Sequence, residues 1–354
     1  MKLFIRSSAC ISSQNTFRTD DFLSEVVEYQ ETRLRAIEPD YRTFADAKQL
    51  RRIGHVIRMG LATAMDCLKQ AGVDMPGAII TGTALGCIED TLTFLNRMVE
   101  FKEQLLPPTA FIQSTHNTVA AQIALSLKCH NYNNTFVHKG ISFESALLDA
   151  QMLLLEGEAN DILVGGMEEM TDDSFIVLSR LGLFKRQPLS NLSLFNTQTR
   201  GTIGGEGAAF FLLTDRESKA NLANFEGVQT FYKPGSLTDI EQKINGFLIA
   251  HSLTMTDVDL VITGRNGDPR NDEVYQQLST SLFKAVSLAN YKHLCGEYPV
   301  STSFALWLAV NILKRGQIPP IIAERMLNDI IPKKILIYNC YLGSYHSLML
   351  VSGC

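Results

Sequence analysis

An α/β unit that occurs twice constrains this chain more than any other feature. In the first copy, apolar residues at helical spacing over 56–70 lead through Gly72-Val73-Asp74 into the β-branched run Gly77-Ala78-Ile79-Ile80-Thr81-Gly82. In the second, a helical stretch over 239–252 leads through Thr256-Asp257-Val258 into Asp259-Leu260-Val261-Ile262-Thr263-Gly264. Both strands end in Thr-Gly, and each copy continues with a second pair. Residues 141–156 place Phe143, Ala146, Leu147, Ala150, Leu153 and Leu154 at i, i+3, i+4 spacing, with Glu144, Ser145 and Asp149 on another face, and the strand 161–166 follows. The counterpart helix, 303–313, is apolar nearly all round and is therefore expected to be buried; it runs towards the strand 335–339. Two such units predict a layered α/β fold with helices held between two sheets. The segment 219–235 is the expected join, dividing the chain into halves 1–225 and 226–354.

Composition narrows the function classes. With 45% hydrophobic and 19% charged residues, the 354-residue chain has the make-up of a globular protein rather than a disordered one. A formal charge of −5 and the lack of any basic block or basic aromatic stripe give no footprint for nucleic acid. Phe304–Leu313, the most apolar run, is about half a membrane span, and the N-terminal apolar stretch is too short for a signal peptide. No membrane span and a cytoplasmic location are the expectation. The seven cysteines (10, 67, 87, 129, 295, 340 and 354) are scattered without CxxC pairs, which argues against zinc and against a disulfide framework. They read as small buried hydrophobes.

Seven short motifs, in order along nearly the whole chain, resemble those of the β-ketoacyl-ACP synthases and their chain-length-factor relatives. Ile79 to Gly86 is similar to the family's first strand and glycine turn, and Asn117 to Ala124 to the helix that opens with an asparagine at the dimer interface. Gly157 to Glu168 is close to "GxADxxLAGGxE", and Gly204-Gly205-Glu206-Gly207-Ala208-Ala209 to "GEGAG". Gly264 to Asp272 resembles "HGTxTPxxD", with Pro269 and Asp272 kept. Lys292 with Gly296 echoes "KxxxGH", and Asn339-Cys340-Tyr341-Leu342-Gly343 echoes "NSFGFGG". The resemblance implies a thiolase-like, five-layer αβαβα fold with two pseudo-symmetric halves. It also implies dimers, an acyl carrier protein as partner, and that carrier's phosphopantetheine arm as a transient ligand. No bound cofactor and no metal are expected, since neither a ligand cluster nor a dinucleotide glycine loop is present.

Decarboxylating condensation needs a thiolate to take the acyl chain and donors for the oxyanion. In the family, two imidazoles stabilise the developing charge. The nucleophile's place is a strand-to-helix turn, where a helix N-terminus lowers a thiol's pKa. Counting back from Gly157 puts it at Gly140, and no cysteine lies within ten residues. A tight turn with an unusual backbone conformation would account for the glycine. The first imidazole is replaced by Gly264 or Asn266, depending on a gap; the position five residues after Lys292 is Glu297 rather than histidine. Lys292 and Glu297 are expected to form a buried ion pair that fixes their loop.

Three other side chains are alternative catalytic candidates. Cys295 has Lys292 and His293 nearby to lower its pKa. His116 precedes the interface helix and His138 lies two residues before Gly140; a buried structural hydrogen bond is the competing reading of each. With the fold motifs kept and three catalytic groups changed, the expected role is a chain-length-factor-type partner of an active ketosynthase, as a heterodimer, in fatty-acid, polyketide or aryl-polyene synthesis. A homodimer is the other assembly. The alternative function is an acyl-transferring or decarboxylating enzyme with a non-standard site.

Overall fold

A computed structural model describes residues 2–44, 50–106, 108–327 and 331–354. The first half contains β1 (Leu3–Ile11), α1 (His55–Ala71), β2 (Ala78–Gly82), α2 (Ile88–Glu100), α3 (Pro108–Gln113), α4 (Thr118–Leu127), β3 (Tyr132–Phe136), α5 (Ser142–Glu156), β4 (Asp161–Glu168), α6 (Asp172–Arg180) and β5 (Gly207–Thr214). The second contains β6 (Ala223–Tyr232), α7 (Leu237–Ala250), β7 (Leu260–Thr263), α8 (Pro269–Thr280), β8 (Ser287–Asn290), α9 (Lys292–Cys295), α10 (Thr302–Arg315), β9 (Ala323–Arg325), β10 (Lys334–Tyr341) and β11 (Tyr345–Ser352). Both copies of the repeated helix-turn-strand unit are present.

Strand order makes the duplication explicit. One half runs β3-β2-β4-β5-β1 and the other β8-β7-β10-β11-β6, with β9 added at the outer edge. Each half has the same pattern of directions. Its second strand is parallel to both neighbours, and its last is antiparallel to the strands on either side. A short antiparallel pairing of Leu3–Ile5 with Ala223–Phe225 links the halves. The join is therefore the segment 215–222, and the division expected at 225/226 falls inside β6.

Packing gives the layers. One core lies between α1, α4 and the outer face of the first half-sheet, and another between α7, α8 and the outer face of the second. The third and largest core lies between the halves, around α5 and α10. α10 is buried from Thr302 to Val310, as its all-round apolar sequence requires. α5 packs on β2 and β4 of its own half and reaches β6 of the other, while α10 packs on β10 and reaches β1 and β5. Helices outside, sheets within and helices at the centre make the five-layer thiolase-like arrangement. One side chain departs from its expected place: Glu144 points into the central layer and is fully buried.

β10 positions the site. Period-two alternation sends Leu336, Tyr338 and Cys340 into the outer core of the second half. Ile335 and Ile337 face the central core, and Asn339 and Tyr341 follow them on that face towards the N-terminal end of α5.

Candidate functional site

Gly140 lies in a short 3-10 turn, 139–141, that hands the chain from β3 to α5. Its glycine identity has a different cause from the one the sequence suggests. The left-handed residue is its neighbour Lys139, with φ 52°, while Gly140 is absent from the positive-φ positions. A Cβ at Gly140 would stand 2.4 Å from both Cβ and Cγ of Tyr341 and 2.5 Å from its Cδ1. Tyr341 thus occupies the space in which a side chain at 140 would project.

Gly264 repeats the arrangement. A Cβ there would lie 2.0 Å from Oδ1 of Asn339 and 2.9 Å from the Tyr275 hydroxyl. One strand end therefore fills two positions, with Asn339 over Gly264 and Tyr341 over Gly140. Tyr275 locks that strand by donating to the Cys340 carbonyl and accepting from the Cys340 N–H at 2.7 Å.

Asn266, Lys292 and Glu297 meet in one buried cluster. The Lys292 ammonium donates to both Glu297 oxygens at 2.9 and 2.7 Å, and Asn266 Nδ2 donates to Oε2 at 2.7 Å. The ion pair expected between Lys292 and Glu297 is present, and Lys292 is fully buried. The Glu297 backbone bonds Ile203 and Gly205, tying the lysine loop to the "GEGAG" turn. Asp272 holds the other loop, accepting from the N–H groups of Asn266 and Gly267 at 2.8 and 3.0 Å and from Arg265. Burial raises its carboxyl above the usual range, against the pull of those donors.

The alternative candidates do not join this cluster. Cys295 is fully buried, and burial pushes its thiol well above the ordinary value despite Lys292 nearby. That corrects the expectation of a lowered pKa: desolvation outweighs the cation. His138 is exposed and sits 3.2 Å from the Ser145 hydroxyl, so its hydrogen bond is at the surface, not buried. His116 is also exposed, packed against Gly86. Six of the seven cysteines are buried; Cys354 is exposed.

A cavity of about 90 Å³ remains, lined among others by Leu85, Glu168, Phe184, Asn266, Glu297 and Tyr341. Glu168 accepts from Thr83 and from the N–H groups of Ala84 and Leu85, yet burial raises its carboxyl to about 7. Glu144, deeper in, is raised to about 7 for the same reason. The hydroxyls of Thr302 and Ser347 lie beside it without hydrogen-bond geometry, and both its oxygens are unpartnered among the described residues. The cavity offers hydrogen-bonding carboxylates and an amide beside an aromatic wall, and no thiol or imidazole lines it. Asn339, Tyr341 and Glu168 fall in matched motifs without being singled out as site residues, and Glu144 is read only as part of a polar helix face. The alternation along 335–341 carries a further signal for the first two.

The family profile Beta-ketoacyl synthase, N-terminal domain, matches residues 16–219. The chain belongs to the β-ketoacyl synthase family. Solved structures share its fold along its whole length. The ishigamide ketosynthase/chain length factor superimposes with a TM-score of 0.80 at 16% identity, covering 100% of this chain and 99% of that one. A beta-ketoacyl synthase from Burkholderia phymatum STM815 gives 0.83 at 14% identity, with the same coverage. The complex AntDE:AntF (apo), a type II PKS acyl-carrier protein in complex with its ketosynthase bound to the hexaketide, gives 0.76 at 14%, covering 100% and 99%. No curated protein matches the chain in sequence. No described helix is long and apolar enough to cross a membrane.

Proposed function

We propose that this chain is a chain-length-factor-type subunit, which pairs with a cysteine-bearing ketosynthase and shapes the space for an acyl chain carried by an acyl carrier protein. The observation that carries the reading is the filling of Gly140 and Gly264 by Tyr341 and Asn339. A site that had merely lost its cysteine would leave room where the thiol stood. Here the room is taken by side chains from a strand that Tyr275 holds in place, while the layered fold around it is whole.

A further feature supports pairing. β3 is the terminal strand of the first half-sheet, paired on one side only, through β2. An unpaired edge is a ready site for adding another chain's strand. Tyr132 on this strand reaches Asp149 on α5, while the helix's exposed Leu148, Met152 and Leu155 lie on its other side, beside Gly227, Val228 and Phe247. The free edge suits a partner of the same fold. By analogy with the ketosynthase/chain length factor and carrier complexes above, the partner is a ketosynthase and the substrate arrives on a phosphopantetheine arm.

Co-expression with a ketosynthase that keeps its cysteine tests this. The expected result is copurification as a one-to-one heterodimer. A stable homodimer that excludes the ketosynthase would contradict it.

A further inference from the structure

Another concavity, of about 800 Å³, opens around residues 180–200 beside the filled site. Five basic residues line it, Arg180, Lys185, Arg186, Arg200 and Arg270, and no acidic residue does, on a chain whose net charge is −5. Two of the five are already engaged. Arg270 is paired with Asp268 at 2.6 Å. The buried Lys185 ammonium donates to the Thr199 carbonyl and hydroxyl and to the Gly267 carbonyl at 2.9, 3.0 and 3.1 Å. Arg180, Arg186 and Arg200 form no ion pair and no side-chain hydrogen bond among the described residues. All three side chains are exposed, so no group of the chain offsets their charge, and a polyanion in the cleft would do so.

We infer that this cleft binds a phosphorylated small molecule, a diphosphate ester whose apolar part rests on Leu181 and Leu189. Guanidinium forks match phosphate oxygens bidentately. A diphosphate ester carries roughly three negative charges near neutral pH, which matches three free arginines. The cleft's concave form and its volume, within the range of small-molecule sites, favour such a ligand over the broad acidic face of a protein. The inference stands apart from the partner-subunit reading, because it needs neither a ketosynthase nor a carrier.

Calorimetric titration of the purified full chain at low salt, with pyrophosphate and with ADP as probes, tests it. Both probes are expected to bind. Each of Arg180→Gln, Arg186→Gln and Arg200→Gln should weaken binding about tenfold, and the triple variant about a hundredfold or more. A control triple that removes the same charge elsewhere, Lys102→Gln/Lys128→Gln/Lys243→Gln, should change it by no more than about threefold. Thermal melts confirm that both triples stay folded. The proposal is overturned by absent binding of both probes, by equal weakening in the control triple, or by binding of an acidic apo carrier protein with none of either probe.

Discussion

Gly140 and Tyr341 show how far a single residue's meaning depends on its three-dimensional neighbour. The sequence points to the address, through motif spacing, but suggests a backbone reason for the glycine. The structure supplies a steric one, since the left-handed residue is Lys139 and the space beside Gly140 belongs to Tyr341. Nothing local to residue 140 reports a ring some two hundred positions away in the chain. Gly140→Ala should therefore destabilise the protein by about 1–3 kcal/mol through overpacking, and adding Tyr341→Ala should recover most of it. Chemical denaturation of the single and double variants checks this; an unchanged midpoint for Gly140→Ala would contradict the filled-site geometry. Gly140→Cys alone should likewise fail to gain acyl-transfer activity.

The Lys292–Glu297 pair belongs to the same scale. Both residues are buried, so removing one leaves the other charged and unpaired. Lys292→Met is expected to cost about 3–5 kcal/mol, and Lys292→Met/Glu297→Leu markedly less than the sum of the two single changes. Denaturation of all four corners of the cycle measures the coupling. Glu144 makes a pH prediction. Burial raises its folded pKa to about 7 from an ordinary 4.5, so the folded state holds its proton more tightly than the unfolded chain does. That contribution is fully present below about pH 4.5 and is lost as pH rises through about 7. Glu144→Gln should match the parent at pH 4 and exceed it by about 3 kcal/mol at pH 8. Equal stability at both pH values would refute a buried, unpaired carboxyl.

Elements were more legible than side chains. The repeated helix-turn-strand unit emerges from periodicity because both copies meet the same demand, an apolar helix on a buried β-branched strand. α10 was legible as buried since it lacks a polar face over most of its length. α5 was only half legible. Its apolar stripe is where periodicity puts it, but Glu144 breaks the polar-outside rule, and no pattern in one helix reveals that its first turn faces the other half of the molecule. Short strands such as β8 and β9 gave no signal of their own; they are four and three residues long and owe their form to β7 and to each other. If the central layer carries the fold, Phe304→Ala on α10 should cost about 3–5 kcal/mol, read from the denaturation midpoint. A loss under about 1 kcal/mol would mean that the halves do not depend on that layer.

For the molecule as a whole, duplication sets the frame, and side chains from both halves meet at the candidate site. The strand order is the same in both halves, so the fold was recoverable from weak motifs in sequence order. The packing at the candidate site is less legible in the sequence, because Tyr341 comes from the second half while Gly140, which it covers, belongs to the first. Intact-protein mass spectrometry on the co-purified complex, incubated with an acylated carrier protein, separates the two roles. An added acyl mass is expected on the cysteine-bearing ketosynthase and none on this chain; a stable acyl adduct on this chain would overturn the partner-subunit reading.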